Sequence, residues 1–166
     1  MSKFTVKSAA LVQLPWTEHR AISAEIPWKL QGIDGEDGEY SINVIGAHLI
    51  ADDFDYKWRR DQLDYLQSQT NDMPTLITGD FNLRWKKEDH FFENLGFVDI
   101  WKHLKVDQPG YTTCDDTRSD RMIMRKMRDW HPVNIELVNN REKPECNLSQ
   151  IVSNHQGLLM TLKRYY

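Results

Sequence analysis

Thr75-Leu-Ile-Thr78 is a short apolar and β-branched run that passes without a spacer into Gly79-Asp80-Phe81-Asn82. A run that short, closed by a glycine and an acid, reads as a buried strand ending in a sharp polar turn. The same construction recurs along the chain. Tyr40-Ser-Ile-Asn-Val-Ile-Gly-Ala-His-Leu49 alternates and then becomes continuously apolar around His48. Arg121-Met-Ile-Met-Arg125 begins directly behind Asp120, and Gly157-Leu-Leu-Met-Thr-Leu-Lys163 behind Ser153-Asn154-His155-Gln156. Further strands are expected over residues 4–14, 22–30, 111–113 and 133–138. One amphipathic helix is expected over 56–70, with Tyr56, Leu63 and Leu66 on one face and Asp52 or Asp53 as its cap. Shorter helices are expected over 87–95 and 98–104, and a turn at Gly32-Ile-Asp-Gly35-Glu-Asp-Gly38. Many short strands with irregularly spaced helices predict an α/β (α+β) sandwich of mixed sheets, in a single domain of 166 residues.

Composition narrows the classes. The net formal charge is −4, so the chain as a whole is not a polycationic nucleic-acid wrapper. No apolar run approaches the ~18 residues of a membrane helix. The first sixteen residues hold one short apolar patch and Pro15, a poor signal peptide, so an intracellular location is expected. Cys114 and Cys146 have no CxxC or Cys/His finger spacing, which gives no ground to expect a disulfide framework or a zinc module. Neither GxGxxG nor GxxxxGK[ST] occurs.

Chemistry is therefore sought in the polar groups at strand ends, where a rigid scaffold holds loops. Asp80 is an acceptor able to hold a water, and Asn82 is an amide donor two residues on; together they have the parts for hydrolysis of a phosphate ester. The same four residues also spell an Asx-turn that merely closes the strand. His155 is placed to stabilise charge on a pentavalent phosphate, with Asp120 as the carboxylate that fixes its tautomer; a structural histidine is the plainer reading, and it holds equally for His48. Basic pairs at Arg59-Arg60, Lys86-Lys87, Arg118/Arg121 and Arg125-Lys126/Arg128 are read mostly as solvated faces, with some phosphate contact. Trp85 is a candidate for stacking on a base.

In this order, the His48-Leu49 strand end, Gly79-Asp-Phe-Asn82, Arg118-Ser-Asp120 and Ser153-Asn-His155 resemble the motifs of the endonuclease/exonuclease/phosphatase superfamily. Gly96-Phe-Val-Asp-Ile-Trp101 and Gly110-Tyr-Thr-Thr113 add a likeness to its tyrosyl-DNA phosphodiesterase 2 branch, over about residues 40–163. The resemblance implies an Mg²⁺-dependent (or Mn²⁺-supported) hydrolase of 5′-phosphotyrosyl bonds in DNA, working in repair of topoisomerase adducts in the nucleus. On the matching positions, Asp80 would activate the water, Asn82 contact the scissile phosphate, and His155, oriented by Asp120, stabilise the transition state. His48 and Leu49, with Leu83, Arg84 and Ser119, would line the 5′ end of a single DNA strand.

Two departures accompany the resemblance. The superfamily's upstream Asn-bearing strand and metal-binding Glu have no counterpart, and Glu25, only 23 residues before His48, is not taken as that ligand. The metal ligand set is left open, with Asp80 as a candidate. Asn154 stands where the superfamily has Asp, which keeps shape but removes a charge. The chain thus reads as the C-terminal two-thirds of such a domain, with an unpaired sheet edge and exposed apolar surface expected. Two alternatives stand beside the enzyme: a catalytically impaired fragment that keeps part of a DNA groove, and a related hydrolase of another phosphodiester, such as a sphingolipid, an inositol phosphate or an RNA tail.

Overall fold

The computed structural model describes residues 5–30, 38–51, 56–70, 72–84, 88, 90–125, 130–138, 153 and 155–164. In chain order they form β1 (Ser8–Gln13), β2 (Arg20–Leu30), β3 (Gly38–His48), α1 (Tyr56–Ser68), β4 (Thr75–Asp80), α2 (Phe91–Asn94), β5 (Val98–Asp99), α3 (Ile100–Leu104), β6 (Asp120–Arg125), β7 (Trp130–Leu137) and β8 (Leu158–Arg164). The first six strands make one mixed sheet in the order β1-β2-β3-β4-β6-β5. Its β3–β4 pair is parallel and the others are antiparallel. A parallel pair needs a crossover rather than a hairpin, and α1 supplies it. β7 and β8 pair antiparallel in a second, two-stranded sheet.

Successive side chains of a strand point to opposite faces, so each strand feeds two cores. Ile45, Ile77 and Ile123 point to one face, where Leu63 and Leu66 of α1 pack with Phe81, Leu83, Phe92 and Phe97. Leu76, Met122 and Met124 point to the other, against Ile100 and Trp101 of α3 and Ile135, Leu158 and Met160 of the second sheet. On the β1–β2 end of that second face, Leu11 and Ile22 sit opposite each other and remain 63% and 57% exposed. β1 is an edge strand, and exposed apolar surface lies beside it.

Several expectations are corrected. Tyr56, expected on the buried face of α1, is exposed; Arg59 and Gln62 are buried there instead. They can be, because the fold gives them partners. Arg59 pairs with buried Glu88 at 2.5 Å, and Gln62 accepts from the Ile50 amide and donates to the Pro15 carbonyl. Within the helix expected over 87–95, the described residues show the single turn α2, ended by Gly96 in the left-handed region (φ 71°), with the amides of Gly96 and Phe97 closing back on Glu93 and Phe92. The strand expected at 111–113 is reduced to one bridge between Thr113 and His155. Cys114 is disulfide-bonded, which its spacing gave no reason to expect. The cap at Asp52 or Asp53, the glycine-rich turn, Trp85, Lys86-Lys87, Lys126, Arg128 and Asn154 lie outside the described residues. No helix is long and apolar enough to cross a membrane among the described residues.

Candidate active site

Three polar strand ends lie side by side because their registers bring them there. His48 at the end of β3 is opposite Asp80 at the end of β4, and Asp80 is opposite Asp120 at the start of β6. His155 closes on this row from the segment before β8: its Nδ1 lies 2.9 Å from Oδ2 of Asp120 and 4.0 Å from Oδ2 of Asp80. His48 Nε2 approaches the same Asp80 oxygen at 3.6 Å. Ligand atoms of Asp80, Asp120 and His155 all fall within 4.8 Å of one another, close enough to hold one metal ion.

Asp80 divides its two oxygens between structure and site. Oδ1 accepts from the Asn82 amide at 2.8 Å, which is the Asx-turn; Oδ2 is the oxygen turned to His48 and His155. The two readings left open by the sequence are therefore compatible in one side chain. Asn82 adopts φ 50°, a conformation that asparagine tolerates better than most residues. Its Nδ2 donates to the Leu49 carbonyl at 2.8 Å, and the side chain is nearly buried. Gly79 cannot be replaced in kind: its φ is 135°, and an added Cβ would stand 2.0 Å from the Ala47 carbonyl oxygen. That clash comes from β3 approaching β4 closely at the site.

The Asp120–His155 pair is held by Thr112, whose place in the Gly110-Tyr-Thr-Thr113 run gives no hint of a role. Fully buried, Thr112 accepts the Asp120 amide on Oγ1 (3.0 Å) and the Gln156 amide on its carbonyl (2.8 Å). One side chain and its backbone thus tie Asp120 to Gln156, the residue that follows His155. Asp99 acts from below. It caps α3 by accepting from the Lys102 amide and binds Arg118 (2.8 Å) and Arg121 (2.9 Å). Burial pushes the Asp99 carboxyl up, but the hydrogen bonds and charges of Arg118 and Arg121 outweigh this and hold it below its ordinary value.

The remaining expected residues are placed unevenly. Arg84 lies exposed at the edge of a cavity beside the row, and Leu83 closes that cavity from within the core. Leu49 is completely buried, so the substrate contact expected of its side chain is replaced by a backbone role toward Asp80 and Asn82. Ser119 is 3% exposed, with its hydroxyl 3.2 Å from that of Thr117 and its carbonyl accepting from Phe81; a direct DNA contact through the hydroxyl is not what the packing presents. Both placements have one cause: a residue next to a polar strand end is turned into the core rather than toward the row. Glu25 sits opposite Asn43, five residues before His48 and so roughly 16 Å down the strand at ~3.3 Å per residue, and pairs with Lys7.

No family model and no curated protein sequence matches the chain. Solved structures do. D. rerio TDP2 complexed with single strand DNA product matches with a TM-score of 0.69 and 17% identity, over 95% of this chain and 68% of that one. An endonuclease/exonuclease/phosphatase family protein from Leptotrichia buccalis matches with a TM-score of 0.70 and 16% identity, over 96% and 62%. A Bacteroides thetaiotaomicron mannosyl-6-phosphatase matches with a TM-score of 0.61 and 14% identity, over 97% and 67%. The chain thus spans 62–68% of the length of these three proteins. With a large mixed sheet, a small second sheet and these structural neighbours, the chain has the endonuclease/exonuclease/phosphatase fold.

Proposed function

We propose that the chain is a metal-dependent phosphodiesterase that hydrolyses 5′-phosphotyrosyl bonds in DNA. The observation that carries the reading is the row His48–Asp80–Asp120 with His155 closed onto it. Asp120 accepts from Nδ1–H of His155, and in the doubly protonated ring Nε2–H is the donor to a phosphoryl oxygen. Asp80 Oδ2 accepts from an attacking water and orients it. The water oxygen bonds to phosphorus and gives its proton to Asp80 as the phosphorus–tyrosyl oxygen bond breaks, and the departing oxygen takes a proton from solvent, leaving a 5′-phosphate and a tyrosine hydroxyl. The donor set, two carboxylates within reach of one point, fits a hard divalent ion such as Mg²⁺, held by Asp80 with Asp120. When bound, such an ion neutralises charge on the phosphoryl oxygens. The DNA end and the tyrosyl adduct come from the resemblance at the motifs and from the DNA product held by the D. rerio TDP2 structure.

A specific observation favours a second reading, a nucleic-acid-binding module with impaired catalysis. Among the described residues, the carboxylates at the row are those of Asp80 and Asp120, and Glu25 is far down β2. One experiment separates the two. Single-stranded DNA bearing a 5′-phosphotyrosine is incubated with the chain in Mg²⁺ or in EDTA, beside Asp80→Asn and His155→Ala. Metal-dependent release of a 5′-phosphate, reduced at least about 100-fold in each variant, is the expected result. No release from a folded chain leaves the binding module, and full activity in both variants overturns the assignment of roles.

A further inference from the structure

β1 lies at one end of the six-stranded sheet, and among the described residues it pairs with β2 alone. Natural proteins guard such an edge with a charge, a proline or a bulge, because its unpaired amides and carbonyls are a template for another strand. Ser8-Ala-Ala-Leu-Val-Gln13 carries neither charge nor proline, and its pairing with β2 runs without a register shift. The Leu14 amide donates to the His19 carbonyl, so by alternation Val12, Ala10 and Ser8 also turn their backbone groups to β2. Ala9, Leu11 and Gln13 present theirs at the open edge.

The same edge is apolar. Leu11 and its cross-strand neighbour Ile22 are exposed, and their row continues to Gly46, where an added Cβ would meet nothing within 4 Å. Val6 before the strand and Trp16 after it are exposed as well. Trp16 holds φ 66°, a backbone conformation that bulky residues rarely adopt. A second copy of the chain matches each of these features. In a strand paired antiparallel with itself, a charge near the two-fold axis would face its own like charge, and β1 has none. With Leu11 opposite Leu11 of the second copy, the outward groups of Ala9 and Gln13 meet those of Gln13 and Ala9 there. The apolar row then runs Ile22-Leu11-Leu11-Ile22 across the junction, and the same register brings Val6 of each copy toward Trp16 of the other. Residues 6–16 with Ile22 give about a dozen residues a side, roughly half of a standard interface, so the pairing is weak and depends on concentration.

We propose that β1 pairs antiparallel with β1 of a second copy, about a two-fold axis at Leu11, and joins the two six-stranded sheets into one. β1 ends on the side of the sheet that carries the strand-end row, and its copy runs the other way. The two rows therefore lie at opposite ends of the joined sheet, and both stay open.

Sedimentation velocity from about 1 to 500 µM is expected to show a monomer giving way to a dimer, half-populated at roughly 100 µM. Leu11→Lys sets like charges opposite each other and should raise that midpoint at least about tenfold. Its thermal transition should stay where it is, because the side chain is exposed in a single copy. Cysteine reads the register, as no free cysteine is present among the described residues. Leu11→Cys in air-saturated buffer should give a covalent dimer, since directly paired Cα atoms ~5.5 Å apart are within disulfide range. Ala9→Cys, which would face Gln13, should not. Sedimentation as a monomer over the whole range would leave the edge to a strand of other origin and overturn the proposal. So would a dimer indifferent to Leu11→Lys, or equal cross-linking at positions 9 and 11.

Discussion

At the level of single residues the site divides the atoms of its side chains between fold and chemistry. Asp80 keeps Oδ1 for the turn and Oδ2 for the row, and Asp120 holds the His155 ring at 2.9 Å. The second arrangement is far from local. Asp120 and His155 are 35 residues apart, and Thr112 connects them by taking one amide from each side. Thr112 touches no reacting group, so it is a positioning residue. Thr112→Ala is expected to lower kcat between about 10- and 100-fold through misplacement of the pair, with KM nearly unchanged. Thr112→Ser, which keeps the hydroxyl, should restore most of the rate. A drop in stability without a selective loss of kcat would mark Thr112 as packing only.

Elements place these residues, and charge inside the fold fixes the elements. Asp99 closes β5, caps α3 and binds two arginines that flank the Ser119–Asp120 step, with all three side chains nearly buried. Removing one partner of such a buried set costs about 3–5 kcal/mol, because the cations stay in place without their counter-charge. Asp99→Asn is expected to show that loss in urea unfolding at neutral pH. The pH dependence has a definite sign. The folded carboxyl titrates below its ordinary value of 3.8, so the stability it contributes is complete above that pH and falls away as the pH drops through the lower folded value. Wild type and Asp99→Asn should therefore converge in stability at strongly acidic pH. A gap of constant size from pH 7 down to pH 2 would contradict the assignment.

For the molecule as a whole, the deciding feature is that one sheet serves two cores. Ile123 lies in the core with α1 and its neighbour Met124 in the core with the second sheet. Neither core can dissolve while the other keeps β6 in register, so the two should melt as one unit. Trp101 and Trp130 lie in the second core and Trp58 on α1, so tryptophan fluorescence samples both cores. Tryptophan fluorescence and far-ultraviolet circular dichroism are expected to give coincident thermal transitions. Leu66→Ala, a fully buried deletion worth about 2–5 kcal/mol, should shift both equally. Two separated transitions would show that the second sheet is an independent unit.

Local rules of period, glycine and turn chemistry are enough to locate β3, β4, β6 and β8 and to single out His48, Asp80, Asn82, Asp120 and His155 at or near their tips. The sandwich of two sheets is legible in the same way. Register, partnership and facing arise only in three dimensions. Which of two adjacent residues faces the site depends on pairing across strands, so Leu49 and Ser119 read as lining residues along the chain and are buried in the fold. Charged residues on a helix face look solvated until a distant carboxylate is brought to them, as Glu88 is to Arg59 across 29 residues. Thr112 has no signature as a positioning residue, because its task is to join two segments that only the folded backbone brings together. Short-range sterics and hydrophobic period act along the chain and are legible in it; burial of a polar group depends on partners far away in sequence, and only the folded arrangement supplies them.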